Sequence, residues 1–266
     1  MAITLSFFIA IVFYLFVSCS ECSSSNNYYS AITITNCLNI VSVKRYFNEH
    51  RKSTIELNKK NKTTMTEFWE AAFKDKQEMW GLEPAKSTVL TKDIFLEHNI
   101  KNVLIPGIGY GRNAQIFIEN GMTVTGIEIS QTAIDLAQKH FGSGLKIYHG
   151  SVTDMPFDNN LYDGIFCYGL IYLLDKDERA KLIQDCFNQL NEGGLMVFTA
   201  ITKDAPTYRQ GTLIGKDRYE MFGGVKIFFY DRQTIEKEFS NTGLFEITEV
   251  TENYPFYLIK CKKRTL

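Results

Sequence analysis

An α/β protein is predicted, with a doubly wound, mostly parallel seven-stranded sheet and an antiparallel C-terminal strand pair, and three observations predict it. Short apolar runs alternate with longer helix-compatible segments between residues 101 and 201, the order that builds βαβ units. The first run, Val103-Leu104-Ile105, stops at Pro106 and passes into Gly107, Gly109 and Gly111. Such a turn bends sharply and lets a ligand approach with no Cβ in the way. Two further runs, Phe245 to Thr251 and Tyr254 to Cys261, follow the last helical segment across a short polar link, as an antiparallel hairpin would.

The 266 residues leave one large domain or two small ones open. A net charge of -1 and the lack of a concentrated basic stretch make nucleic acid an unexpected partner. Residues 3–17 are almost continuously apolar, short of the roughly 20 residues of a membrane helix and close to a signal h-region. The usual positive start is missing, while Phe16-Val17-Ser18-Cys19 approaches a bacterial lipobox. Residues 1–20 therefore read as a signal-like or anchor segment, and residues 21–64 have the composition of a poorly ordered polar linker. Residues 65–266 form the expected folded domain. A cleaved signal, a membrane anchor and translated sequence upstream of a start at Met65 all fit, and membrane contact is expected only through residues 3–17. The sequon Asn61-Lys62-Thr63 is too common a triplet to decide the compartment. Cys167, Cys186 and Cys261 read as buried thiols. Cys19 and Cys22 have no second pair and no His cluster beside them, so no metal site is expected.

Taken in order, Thr66 to Met79 carries Phe68, Trp69, Ala72 and Phe73 near helical spacing, with Trp80 just beyond. An amphipathic helix packing its aromatic face on the sheet explains this; alternatively Trp69 or Trp80 closes one side of a ligand pocket. Ser87 to His98 is a second helix. After the glycine turn, Arg112 to Asn120 suits a helix capped by Gly121, and Met122 to Ile127 a second strand ending at Glu128. Strand, glycine turn, helix, strand and acid make the first half of a nucleotide-binding unit, with Glu128 placed to accept from both hydroxyls of a ribose. A dinucleotide fingerprint needs a third glycine where Arg112 stands, and that side chain opposes the close pyrophosphate approach of NAD or FAD.

Ser130 is an N-cap for a helix through Lys139, and Leu145 to Tyr148 a third strand. In the following Gly150-Ser-Val-Thr-Asp154-Met155 stretch, Asp154 can accept from an adenine amine while Val152 and Met155 sandwich the ring. Taken alone, Asp154 before Met-Pro is a routine turn residue; its order after Glu128 favours the contact. Leu161 to Cys167 is the fourth strand, with Cys167 at its ligand end and Tyr168, Leu170 and Tyr172 just past it. Asp175 caps a helix to Leu190, Asn191 to Gly194 forms a tight turn, and Leu195 to Ile201 is the fifth strand. From Thr202 to Tyr230 the glycine-broken, aromatic-rich pattern reads as a loop covering the substrate. Asp231 caps a final helix to Ser240.

Trp80-Gly-Leu-Glu-Pro84, Ile105-Pro-Gly-Ile-Gly-Tyr-Gly-Arg-Asn113, Gly126-Ile-Glu128 and Gly150-Ser-Val-Thr-Asp154 resemble the class I S-adenosylmethionine (SAM) methyltransferases. Within that superfamily the chain is similar to the thiopurine and tellurite-resistance group. The resemblance implies a Rossmann-like methyltransferase fold, SAM as cofactor and a small-molecule methyl acceptor. Cofactor contacts are expected from Gly107, Gly109, Gly111, Glu128, Ile129, Asp154, Met155, Cys167, Trp69 and Trp80. Pro106 stands where most of the superfamily has an acid, which removes one partner of the methionyl amine. The Asn/Asp-Pro-Pro-Tyr/Phe motif of amino-nitrogen methyltransferases is replaced by Cys167-Tyr-Gly-Leu170, which disfavours adenine amines and glutamine side chains as acceptors.

The expected reaction is in-line displacement on the sulfonium methyl. A thiol or other soft nucleophile would need little general-base help, in keeping with a sequence offering no His–acid pair; His140 and His149 read as structural or surface residues. Tyr168, Tyr172 and Tyr208 are the acceptor-side candidates, with Asp204 or Tyr208 the places to look for a base if the acceptor is oxygen. A non-catalytic SAM-binding module and, opposed by Arg112, an NAD-dependent oxidoreductase are the rival readings. Because cells keep SAM inside, a cytoplasmic catalytic domain is favoured, with anchoring or secretion left open by residues 3–17.

Overall fold

The computed structural model describes residues 65–265; the apolar segment 3–17, the linker 21–64 and Cys19, Cys22 and Cys37 lie outside them. The described chain opens in helix α1, residues 65–76. Then follow α2 (Lys86–Glu97), β1 (Asn102–Pro106), α3 (Ala114–Glu119), β2 (Thr123–Glu128), α4 (Gln131–Phe141), β3 (Lys146–His149), β4 (Tyr162–Cys167), α5 (Lys176–Asn188) and β5 (Leu190–Ile201). After β5 come β6 (Thr212–Gly215), β7 (Arg218–Met221), β8 (Val225–Phe228), α6 (Arg232–Glu238), β9 (Leu244–Thr251) and β10 (Pro255–Lys262). No described helix is long and apolar enough to cross a membrane.

Seven strands form one sheet in the order β3-β2-β1-β4-β5-β10-β9. Its first five strands run parallel, and β10 enters antiparallel between β5 and β9. The chain moves outward from β1 through β2 to β3, then crosses back to β4. Strand order therefore reverses between β1 and β4, where open α/β sheets leave a crevice at the carboxyl ends of the strands. The glycine turn ends one of those strands and Cys167 the other.

Alternate side chains of the central strands feed two apolar layers, as a two-residue period requires. Ile165 and Cys167 of β4 join Met196 and Phe198 of β5 in one layer. Phe166 joins Leu195, Val197, Phe95 and Phe117 in the other. The helices start at the expected caps: Ser130 Oγ accepts from Ala133 N at 3.2 Å, Asp231 Oδ1 accepts from Thr234 N at 2.8 Å, and Asp175 forms a reciprocal capping box with Glu178.

Several expectations are corrected. The α3 helix is shorter than Arg112 to Asn120, because Asn113 Oδ1 accepts from Ala85 N and Thr88 Oγ1 and caps no turn of its own helix. Helix α1 ends before Met79, and Gln77 turns at a positive φ of 46°. The tight turn at Asn191–Gly194 is absorbed into β5 as a bulge: Tyr162 pairs with Leu190, and the next pair is Gly164 with Leu195. Gly194 permits this, since a Cβ there would lie 2.8 Å from Asn191 O and 2.9 Å from Asp163 O. The largest correction concerns Thr202 to Tyr230, which contains the three-stranded antiparallel sheet β6-β7-β8.

Candidate cofactor site

The glycine turn is fixed by β2. Gly107 N and Ile108 N both donate to Ile127 O, at 2.8 and 3.1 Å. Gly107, Gly109 and Gly111 all have positive φ, but their surroundings differ. A Cβ on Gly107 would crowd Leu170 Cδ2 at 3.1 Å, and one on Gly109 would rest against Phe73 Cζ at 3.9 Å. At Gly111 it would collide with Phe141 at 2.5 Å. Each of the three is faced by one side chain, and the approach is closest at Gly111, which therefore serves the packing of α4.

Glu128 ends β2 with 5% of its surface exposed. Its Oε2 accepts from Gly109 N at 2.8 Å, and its Oε1 accepts from Ile129 N and Ser130 N, both at 2.9 Å. Burial raises the pKa of this carboxyl, against the three N–H groups and the neighbouring His149, which favour the charge. A carboxylate has about four lone-pair positions. Two on Oε1 and one on Oε2 are filled, which leaves one acceptor position on Oε2, beside the glycine turn. SAM presents ribose hydroxyl donors, the kind of group that this position accepts.

Helix α1 covers this corner. Phe73 packs with Tyr110, Ala133 and Leu136, and Trp69 lies against that cluster. Trp80 stacks on Tyr110 with ring centroids 6.3 Å apart and planes 11° from parallel, and Tyr110 Oη accepts from Trp80 N and donates to Gly81 O. Trp69 and Trp80 thus share one aromatic cluster, 6.3 Å apart. Sequence reasoning missed Glu70. Its carboxylate accepts from Ser130 Oγ at 2.6 Å, Thr132 Oγ1 at 2.7 Å and Thr132 N at 3.2 Å. These bonds, the one from Ser130 first, hold its pKa down to about 2.

The β3 and β4 side is different. Asp154 closes a 3-10 turn, Val152–Asp154, and is exposed. Val152 and Met155, expected to sandwich an adenine, are buried with Ile171, Leu174 and Leu182; their side chains are core. The thiol of Cys167 is wholly buried in the same cluster, as expected of a buried cysteine, and burial raises its pKa. Ile129 is half-buried, and its carbonyl lies 3.1 Å from His149 Nε2.

The acceptor-side tyrosines already have partners or packing. Tyr168 Oη donates to Glu252 Oε2 at 2.9 Å, and Glu252 Oε1 accepts from Ser87 N near the start of α2. Burial, followed by that carboxylate, raises the Tyr168 pKa. Tyr172 packs on Phe256 with ring centroids 6.1 Å apart, and burial raises its pKa. Tyr208 Oη donates to Asp217 Oδ1 at 2.7 Å, a bond that raises its pKa, and Asp217 is paired with Lys203.

Residues 103–194, from β1 into β5, match the family model described as a methyltransferase domain. That stretch of the chain is similar to a methyltransferase domain. The O-methyltransferase resE of Aspergillus sclerotiorum is 28% identical over 111 residues, covering 40% of this chain and 41% of that protein. A ubiquinone biosynthesis O-methyltransferase of Pseudomonas fluorescens is 27% identical over 112 residues, covering 41% and 47%. The chain thus spans less than half the length of these two relatives. Among solved structures, the Burkholderia thailandensis 1,6-didemethyltoxoflavin-N1-methyltransferase, with S-adenosylhomocysteine bound, has a TM-score of 0.62 at 12% identity, covering 77% of this chain and 90% of that one. These likenesses support a methyltransferase domain and the methyltransferase fold; they do not single out the thiopurine and tellurite-resistance group.

Proposed function

We propose that this methyltransferase transfers the methyl group of SAM to a small-molecule acceptor bound over the carboxyl ends of β4 and β5. The single observation that carries the reading is Glu128: an acid buried at the end of β2, held by three backbone N–H groups, with an acceptor position left beside the glycine turn. Its role is to hold a ribose hydroxyl. Gly107 and Gly109 let the methionyl part lie against backbone, and Phe73, Trp69 and Trp80 exclude water from that side. Asp154 is assigned to the adenine amine by its place one βα unit after Glu128.

The bound cofactor brings an activated methyl on a positively charged sulfur. The protein then supplies position and exclusion of water. A thiol or another soft, readily ionised nucleophile suits the acceptor side, because Tyr168 and Tyr208 each donate to a carboxylate and have raised pKa values. Oxygen is the second choice of acceptor atom, favoured by the two relatives named O-methyltransferases. The test is release of S-adenosylhomocysteine across a panel of small thiols, phenols and amines, beside calorimetry with SAM and NAD. The expected result is SAM binding, no NAD binding and fastest turnover with thiols. NAD binding without SAM binding would overturn the cofactor assignment, and SAM binding with no turnover would favour a non-catalytic binding module.

A further inference from the structure

Two chain segments donate to the Glu128 carboxylate: the glycine turn through Gly109 N, and residues 129–130 through their backbone N–H groups. Helix α1 clamps both. Its Phe73 ring rests against Gly109, and its Glu70 carboxylate takes three hydrogen bonds from Ser130 and Thr132. Phe73 lies on the aromatic face of the helix, so the two contacts differ in kind. The aromatic contact is non-directional and tolerates sliding; the carboxylate contact is directional and charge-assisted. Ser130 also caps α4 through Ala133 N. Ser130 therefore links three parts: its hydroxyl joins α1 to the first turn of α4, and its backbone N–H reaches Glu128.

We infer that Glu70 is a positioning residue for the cofactor: its bonds to Ser130 and Thr132 latch α1 over the ribose end of the SAM site and set how long the cofactor stays bound. The inference rests on the SAM-site reading above and adds to it a residue that touches neither SAM nor acceptor. Lys74, on the same helix, lies 3.2 Å from the Glu70 carboxylate and is mostly exposed. It screens the charge without replacing the bonds from α4. With the latch intact, α1 opens rarely. Without it, the helix keeps its non-directional contacts, the aromatic cluster and the packing of Phe68 against the cluster of Ile201 and Ala205, and Trp80, at the aromatic cluster's edge, is 47% exposed.

The test uses the full chain and three variants, Glu70→Ala, Glu70→Gln and Thr132→Val. Two quantities are measured: the SAM dissociation rate, followed by tryptophan fluorescence, and the exchange of the α1 backbone amides without cofactor. For Glu70→Ala the expected result is dissociation faster by about tenfold, the scale of losing charge-assisted hydrogen bonds. The KM for SAM rises with it, kcat at saturating SAM is unchanged or higher, and α1 exchange quickens. Glu70→Gln, which can still accept from Ser130 and Thr132, restores part of the effect. Thr132→Val gives a smaller change that is not additive with Glu70→Ala. A variant whose α1 amides exchange faster while SAM leaves at the wild-type rate overturns the latch and leaves the cofactor reading standing. A wild-type chain that binds no SAM overturns that reading and the latch with it.

Discussion

Along the carboxyl edge of one sheet, the β1–β2 half buries its acid under three backbone donors and a covering helix, whereas the β4–β5 half presents tyrosines whose hydroxyls are already given to other carboxylates. The first half is built to hold something from the ligand: Glu128 keeps an unfilled acceptor position in a buried setting. On the second, Tyr168 and Glu252 tie the β9–β10 turn to the start of α2, and Tyr208, Asp217 and Lys203 brace the small sheet. On the proposed reading, recognition of the cofactor would rest on the polar groups of the first half, while the tyrosine hydroxyls of the second are committed to the fold. This division suits a reaction in which the leaving group needs no proton and the nucleophile brings little to remove.

Mutations that strike the two halves should separate them. The largest effect is expected from Glu128→Ala: SAM affinity falls by about a hundredfold, or roughly 2.7 kcal/mol, with the secondary structure retained. Stability drops by about 1–3 kcal/mol as backbone donors lose their partner. Calorimetry beside circular dichroism checks both, and a loss of affinity below about threefold would remove Glu128 from the site. Next come two glycines of one turn. Gly111→Ala meets Phe141 at 2.5 Å in a positive-φ conformation, so denaturant unfolding should show a loss of roughly 2–4 kcal/mol. Gly109→Ala has only Phe73 nearby, at 3.9 Å. It should lose about 1–2 kcal/mol from backbone strain and show its main effect in the KM for SAM. Equal stability losses would erase the distinction between a packing glycine and a ligand glycine.

On the acceptor side, Tyr208→Phe should change kcat by less than about threefold, because the hydroxyl braces Asp217; a fall of about a hundredfold, the scale of general-base catalysis, would restore it as a base. The smallest effect concerns acid. The hydrogen bond from Ser130, with those from Thr132, holds the Glu70 carboxyl down to about 2, below its ordinary 4.5. Its contribution to stability is thus complete above about 4.5 and is lost as pH falls through about 2. Exchange of the α1 amides should be flat from about pH 8 to 5, apart from intrinsic chemistry, and quicken on further acidification; Glu70→Gln should flatten the acid limb.

How much of this was legible follows the same division. The turn at Gly107 and the acid at Glu128 could be read because a strand ending in proline and glycine, then a helix and a second strand ending in an acid, constrain one another. The 3.6-residue and two-residue periods gave α4, α5 and the first four parallel strands close to their observed limits, while β5 starts five residues earlier than expected. The inward aim of Cys167 was also readable: alternation in Ile165-Phe166-Cys167 sends it to the layer of Ile165, and only its place at the strand end suggested otherwise. By contrast, β6, β7 and β8 are four residues each, separated by Lys216-Asp217 and by Phe222-Gly223-Gly224. Strands that short leave too little period to tell from a loop. Glu70 carried no signal, since a glutamate on the polar face of an amphipathic helix looks solvated until its partners, about sixty residues away, are placed in space. The three-donor arrangement at Glu128 was likewise invisible; on the proposed reading it narrows the grip to one ribose hydroxyl.

That narrowing gives the most direct test of the central claim. S-adenosylhomocysteine and its 2′-deoxy and 3′-deoxy analogues are titrated by calorimetry into the wild-type chain and into Glu128→Ala. The prediction is that one deoxy analogue binds the wild type about tenfold more weakly, the worth of one charge-assisted hydrogen bond, and that this penalty disappears in the variant. An equal penalty in both proteins, or none in either, would contradict the assignment of Glu128 to the ribose.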